Sequence, residues 1–187
     1  LLAWIDGPFL ASLDADARRA VLPRLLPRVL GFLRWGAAFT WLAGVWYGFG
    51  YVARQDREGT LHWLTDNDRG QWVGLAFVYG SIMVFNVWFV IWPRQRLMLR
   101  AMAAGEPAES IRPWARVSTW AVRLNVYLSV PQLYAMAAGK HAGELGHDRG
   151  SFGENALLVT LVGAAAAALL LHGVAPLIGR AERAAAP

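Results

Sequence analysis

The side chains most able to do chemistry in this sequence are the polar ones set inside long apolar stretches: Asn86, Arg123, Asn125, Ser129, Gln132 and His172. A charge or amide in such surroundings is costly to bury, so each needs a partner or a ligand. Arg123 lies about six residues inside its stretch, roughly 9 Å deep at the helical rise. From there it can snorkel to headgroups, or its planar fork can hold an anionic group, a carbonyl or a cofactor carboxylate. Asn125 and Ser129 follow on the same stretch, and Pro131 should kink it and free a carbonyl near Tyr127. Asn86, Arg123, Asn125, Ser129 and His172 are expected to form a polar cluster contacting a partner, a lipid or a partner's cofactor.

His172 is the one histidine inside an apolar run. A b-type haem held by two imidazoles needs a second histidine at similar depth, whereas His62, His141 and His147 fall in loops. His141 and His147, with Glu144 and Asp148, have the right types for a metal, but their spacing matches no ligand pattern and a solvated loop is expected. The chain has no Cys, which excludes disulfides, zinc-thiolate sites and a covalent c-type haem, since that needs a CxxCH motif. No nucleophile–base pair, phosphate-binding loop or dinucleotide fingerprint is present. No cofactor or metal is therefore expected on this chain, while contact with a haem or pigment of a partner stays open.

Helices must position these residues. The chain is 187 residues long and 56% hydrophobic, and its apolar residues fall into charge-poor runs rather than being spread evenly. Four runs are long enough to cross a hydrocarbon layer of about 30 Å: Trp35–Ala53, Gln71–Pro93, Val117–Gly139 and Asn155–Gly179. The backbone of a lipid-embedded run must satisfy itself, so the expectation is all-α, a polytopic membrane bundle of about four transmembrane helices over 35–179. Before it, Leu22–Trp35 places Leu22, Leu25, Leu26, Val29, Leu30 and Leu33 on one arc and Arg24, Arg28 and Arg34 on the other. This predicts an interfacial amphipathic helix within an N-terminal segment 1–34, kinked or broken by Pro23 and Pro27. The stretch Leu1–Leu13 is interrupted by Asp6, Gly7 and Pro8 and does not read as a signal peptide.

Arginines set the expected orientation. Those of the N-terminal segment, of the middle loop (Arg94, Arg96, Arg100, Arg112, Arg116) and of the tail 180–187 (Arg180, Arg183) outnumber those of the other two loops. Positive-inside then puts both termini and the middle loop in the cytoplasm, in a bacterial inner membrane. The net charge of +5 is spread over the ends of runs and forms no contiguous patch, which argues against nucleic acid. Trp35, Tyr51, Trp72, Trp92 and Trp114 stand near run ends as interfacial anchors would. Trp41, Trp46 and Trp88 lie deeper, to pack against helices, lipid or pigment, and Gly44 with Gly48 offers a close helix approach.

Two segments then become recognisable. GSIMVFNVWFVIWPRQRLMLRAMAAGEP, Gly80–Pro107, and VRLNVYLSVPQLYAMAAGKH, Val122–His141, resemble the membrane domain of the urate hydroxylase (urate oxidase N-terminal) family. The resemblance rests on Asn86, Pro93 and Gln95, on Gly105, Glu106 and Pro107, and on Arg123, Asn125, Ser129, Pro131 and His141; more faintly it extends from Leu26 to His172. It implies a helical membrane domain, and full members of the family oxidise urate to 5-hydroxyisourate and pass electrons to a C-terminal cytochrome c domain. Since the sequence holds no CxxCH, the leading expectation is a non-catalytic membrane subunit, packed among other subunits and lipids of a respiratory or photosynthetic electron-transfer complex. The alternative is a urate hydroxylase-like oxidoreductase module working with a separate cytochrome c.

The orientation is testable because the chain has no thiol of its own. Cysteines introduced at Ala108 and Ser151 are expected to differ in labelling by a membrane-impermeant maleimide. Labelling of the Ala108 position from outside intact cells would reverse the topology.

Overall fold

A computed structural model describes residues 14–52, 54, 59–141 and 151–174, and among these every regular element is a helix. Helix α1 (Ala15–Val45) passes into a π-helical turn, Trp46–Val52. It runs through Pro23 and Pro27 and across the expected boundary at 34 without a break. The two prolines are four residues apart, so the hydrogen bonds they forfeit lie along one side and the rest of the ladder continues.

The short α2 (Thr60–Thr65) buries Trp63. Helix α3 (Asp68–Phe85) begins at Asn67, whose side chain accepts from the Gly70 N–H, and Asp68 in its first turn suits the positive end of the helix. A π-helical turn, Asn86–Ile91, leads straight into α4 (Trp92–Ala103). The second span expected to close at Pro93 therefore runs on. Pro93 follows the π turn, where the widened ladder relieves the clash its ring would make with a preceding carbonyl.

The Ala-Gly-Glu-Pro stretch then stops the helix. Gly105 takes φ 72°, its N–H donates to the Met102 carbonyl, and the Glu106 N–H donates to Ala101. This is a Schellman cap, and Pro107 cannot continue the helix. Helix α5 (Ala108–His141) contains both Pro113 and Pro131. Helix α6 (Phe152–Leu169) opens on a reciprocal cap between Ser151 and Glu154 and ends in a π-helical turn, Leu170–Val174.

Among the described residues, three helical stretches are long and apolar enough to cross a membrane: Pro27–Gly50, Asp68–Ala103 and Phe152–Gly173. The expected third span falls on α5, which has the length, 34 residues. It misses the apolar mark because Arg123, Asn125 and Gln132 interrupt it. The end of the fourth expected span, 175–179, lies outside the described residues, as do 1–13, the tail 180–187 and the loop holding Glu144, His147 and Asp148.

Helix α5 is the axis of the bundle. It packs against α3, α4 and α6, while α1 leans on α3 and α4 and α2 covers the start of α3. The core joins Trp72 and Ala76 of α3 to Ala135 and Ala138 of α5. Trp72 was expected to anchor at an interface. Instead it is 5% exposed and meets Tyr134 and Phe152 edge-on, with centroids 5.7 and 5.1 Å away. The outward face of α6 is apolar and open, with Leu157, Leu158, Leu161 and Val162 all exposed.

Small residues set the helix separations. A Cβ on Gly163 would stand 2.9 Å from Pro131 Cδ and 3.0 Å from its backbone nitrogen, and Pro131 itself is fully buried. A Cβ on Gly139 would meet Val73 Cγ2 at 2.8 Å. Gly163→Ala is therefore expected to destabilise the bundle by about 1–3 kcal/mol, the usual cost of overpacking. Gly153→Ala, in open space on the same helix, should be neutral or gain up to about 1 kcal/mol of helix propensity. Unfolding midpoints of both variants in the same detergent check the contrast.

Candidate functional site

The polar residues read from the sequence divide between two faces of α5. Residues two apart on an α-helix point roughly 200° apart, so Arg123 and Asn125 cannot serve one cluster. Asn125 turns toward α3. There the Asn86 side-chain amide donates to Asn125 Oδ1 at 2.9 Å, and the Asn125 amide donates to the Met83 carbonyl at 3.2 Å. Asn86 is 8% exposed and begins the π turn, and the Met83 carbonyl takes both the Asn86 backbone N–H and the Asn125 amide. Ser129 joins neither face, because its hydroxyl bonds the Val126 carbonyl of its own helix at 2.7 Å. The helix continues through Pro131, whose ring seats Gly163.

Beside the asparagine pair lies a cavity of about 430 Å³ between α1, α3 and α5. Thr40, Tyr47, Arg69, Asn125 and Gln132 are among its polar residues, and Trp41 and Phe77 are among its aromatic walls. Trp41 stacks on Phe77 at 5.4 Å, and its indole N–H donates to Ser81 Oγ at 2.9 Å. This bond fixes α1 to α3. Of the Gly44–Gly48 pair, a Cβ on Gly48 would make only ordinary contact with Val73 Cγ1, while Gly44 faces open space and thins the wall. On the opposite side, Gly80 makes room for Gln132, since a Cβ there would stand 3.1 Å from Gln132 Nε2. The volume suits a small planar ligand.

The second cavity, about 410 Å³, lies toward the arginine-rich end and brings Arg123 and His172 to one wall. His172 Nε2 and the Tyr127 hydroxyl are 2.9 Å apart, and the Arg123 guanidinium lies 5.4 Å from the Trp120 ring centre. No group of three or more His, Asp or Glu that could hold a metal occurs among the described residues.

Two arrangements escaped the sequence reading. Arg34, taken there as a topology-setting charge, is clasped by tryptophans: its Cζ lies 4.6 Å from the Trp88 ring centre and 4.4 Å from that of Trp92. The Trp88 indole also donates to the Arg34 carbonyl at 3.2 Å, so Trp88 packs against protein. Trp46 stays exposed. Tyr79 and Thr160 share a short hydroxyl hydrogen bond that ties α3 to α6. Arg69 stands in the first turn of α3, and the close approach of α1 to α3 makes it part of the first cavity.

A profile of the urate oxidase N-terminal family matches residues 60–171. The chain belongs to that family. The match runs from α2 through α6 and takes in the asparagine pair, Arg69, Gln132 and Arg123. No curated protein and no solved structure matches the chain. Within the family's segment Asn86 and Asn125 form one polar unit: deleting Asn125 takes the acceptor from the buried Asn86 amide, and deleting Asn86 takes the donor from Asn125 Oδ1, whose amide still bonds the Met83 carbonyl. A double-mutant cycle with Asn86→Ala and Asn125→Ala is expected to give a coupling of about 0.5–1.7 kcal/mol, the range for polar pairs between membrane helices. Detergent unfolding of the four proteins measures it.

Proposed function

We propose that this chain is a membrane-embedded module of a urate hydroxylase-type oxidoreductase, and that the cavity between α1, α3 and α5 is where it takes its substrate. The helices α1, α3 with α4, α5 and α6 are read as four crossings of a bacterial inner membrane, with both ends cytoplasmic. The exposed apolar face of α6 and the polar character of α5, kept to the bundle's axis, support that reading.

The carrying observation is the lining of the 430 Å³ cavity. Urate is flat, with N–H and C=O groups around its whole edge. The carboxamide of Gln132 offers a donor and an acceptor to an imide edge, and the guanidinium of Arg69 offers donors to an oxygen that carries charge. Trp41 and Phe77 supply faces for stacking. Conversion to 5-hydroxyisourate adds the oxygen of one water and releases two electrons and two protons. A cytochrome c, which takes one electron at a time, would accept the electrons in two successive transfers. Its haem has no attachment point here, for the chain has no Cys, so the acceptor would be carried outside these residues. This chain's part is to bind and orient the ring.

Urate is expected to bind the purified full chain and to quench its tryptophan emission. Gln132→Leu should weaken binding at least about tenfold, the loss of roughly 1.4 kcal/mol or more when a buried hydrogen-bond partner goes missing. Absence of urate binding by the wild type, or equal affinity in both proteins, would remove this reading. The second reading, a non-catalytic subunit of a respiratory or photosynthetic electron-transfer complex, draws on the outward aromatic residues of α1 and of the π turn that follows it. There Phe32 and Trp46 are 81% and 78% exposed. It expects partner subunits to co-purify from native membranes and no response to urate.

A further inference from the structure

The cavity at the arginine-rich end is separate from the proposed substrate cavity and lies between α4, α5 and the π turn that follows α6. Gln95, Ser118, Thr119, Arg123 and His172 are its polar lining, and no Asp or Glu takes part. Two of these groups are left wanting. The half-buried Arg123 guanidinium meets the Trp120 ring and no hydrogen-bond or ion-pair partner among the described residues. Gln95 Oε1 is buried and accepts nothing, while Gln95 Nε2 makes only a long bond of 3.4 Å to Ser118 Oγ. An unpaired cation and a residue with an orphaned acceptor thus line one space, and a buried acceptor without a donor costs about 1–3 kcal/mol.

We propose that this cavity binds a phosphate group that carries or adjoins a hydroxyl. Arg123 grips the phosphate oxygens, and Gln95 Oε1 accepts from the hydroxyl. The Ser118 and Thr119 hydroxyls complete the polar wall. Arg rather than Lys fits this task, because two parallel N–H bonds match two oxygens of a phosphate. The chemistry has two possible sources: the headgroup of a phospholipid such as phosphatidylglycerol, or free hydrogen phosphate. The place favours the lipid. Arg116 lies seven residues before Arg123 on α5, roughly 10 Å along the axis, so the cavity begins near headgroup depth and deepens from there. Arg94, Arg96, Arg100 and Arg112 belong to the same end of the bundle and would gather anionic headgroups about its mouth.

The test uses the full chain purified in a phosphate-free neutral detergent. Native mass spectrometry counts added phosphatidylglycerol, and calorimetry measures inorganic phosphate. The wild type is expected to hold one phosphatidylglycerol. Arg123→Gln should bind it about thirtyfold or more weakly, as when one partner of a desolvated charge pair is removed. Arg123→Lys should bind it with intermediate affinity. Gln95→Leu, which keeps the bulk and removes the acceptor, should weaken the lipid severalfold. Phosphate uptake that depends on Arg123, with no lipid retained, supports the same site with free anion as its ligand. Wild-type affinity of Arg123→Gln for both probes overturns the proposal. If that variant does not fold, unchanged binding of both probes by Arg123→Lys and Gln95→Leu overturns it equally.

Discussion

The close seating of α5 against its neighbours is the constraint on which the rest of the bundle depends. Pro131 fills the space that a side chain at Gly163 would occupy, and Gly139, Ala135 and Ala138 let α3 come near enough for Trp72 to close the core. A helix with three charges or amides in its middle has little apolar surface with which to hold a position. Contact between small residues supplies the attraction instead, as it does wherever the surroundings are as apolar as the side chains. Once α5 is fixed at that distance, Asn125 reaches Asn86, Gln132 reaches past Gly80, and Arg123 is left on the opposite face.

Two cavities follow from the same seating. Large aromatic residues keep α1 off α3 along part of its length, with Trp41 propped on Phe77 and bonded to Ser81. The glycines thin the walls where the space opens. At the other end, the second cavity forms where α4 and α6 meet α5 with polar side chains between them. The three π turns have a local consequence too. Each changes the helix register, and the one at Asn86–Ile91 admits Pro93 without ending the helix.

Much was legible in the residues themselves. Long uninterrupted apolar runs specify helices because the backbone has no other partner there, and arginines at the ends mark where the runs meet water. Three of the four runs recur as helices of sufficient apolar length. The remaining run, Val117–Gly139, fell short because the residues that made α5 worth notice are the ones that lower its hydropathy. Asn86, Arg123 and Asn125 were visible by type and depth, while Gln95 was visible only through the resemblance to the family.

Partnership was not legible. Arg123 and Asn125 are neighbours in sequence yet serve different cavities, because the helix turns by 100° per residue. Asn86 and Asn125 are 39 residues apart and form one hydrogen-bonded pair. Trp72 has the composition and position of an interfacial anchor, and only the approach of Tyr134 and Phe152 makes it core. Sequence determined which segments are helical and which polar groups each would carry into an apolar setting, since both depend on local composition and period. Which of those groups meet, and where space remains between them, was decided by the tertiary structure alone. Helix rotation and separation are set by side chains on other helices, far away in the chain.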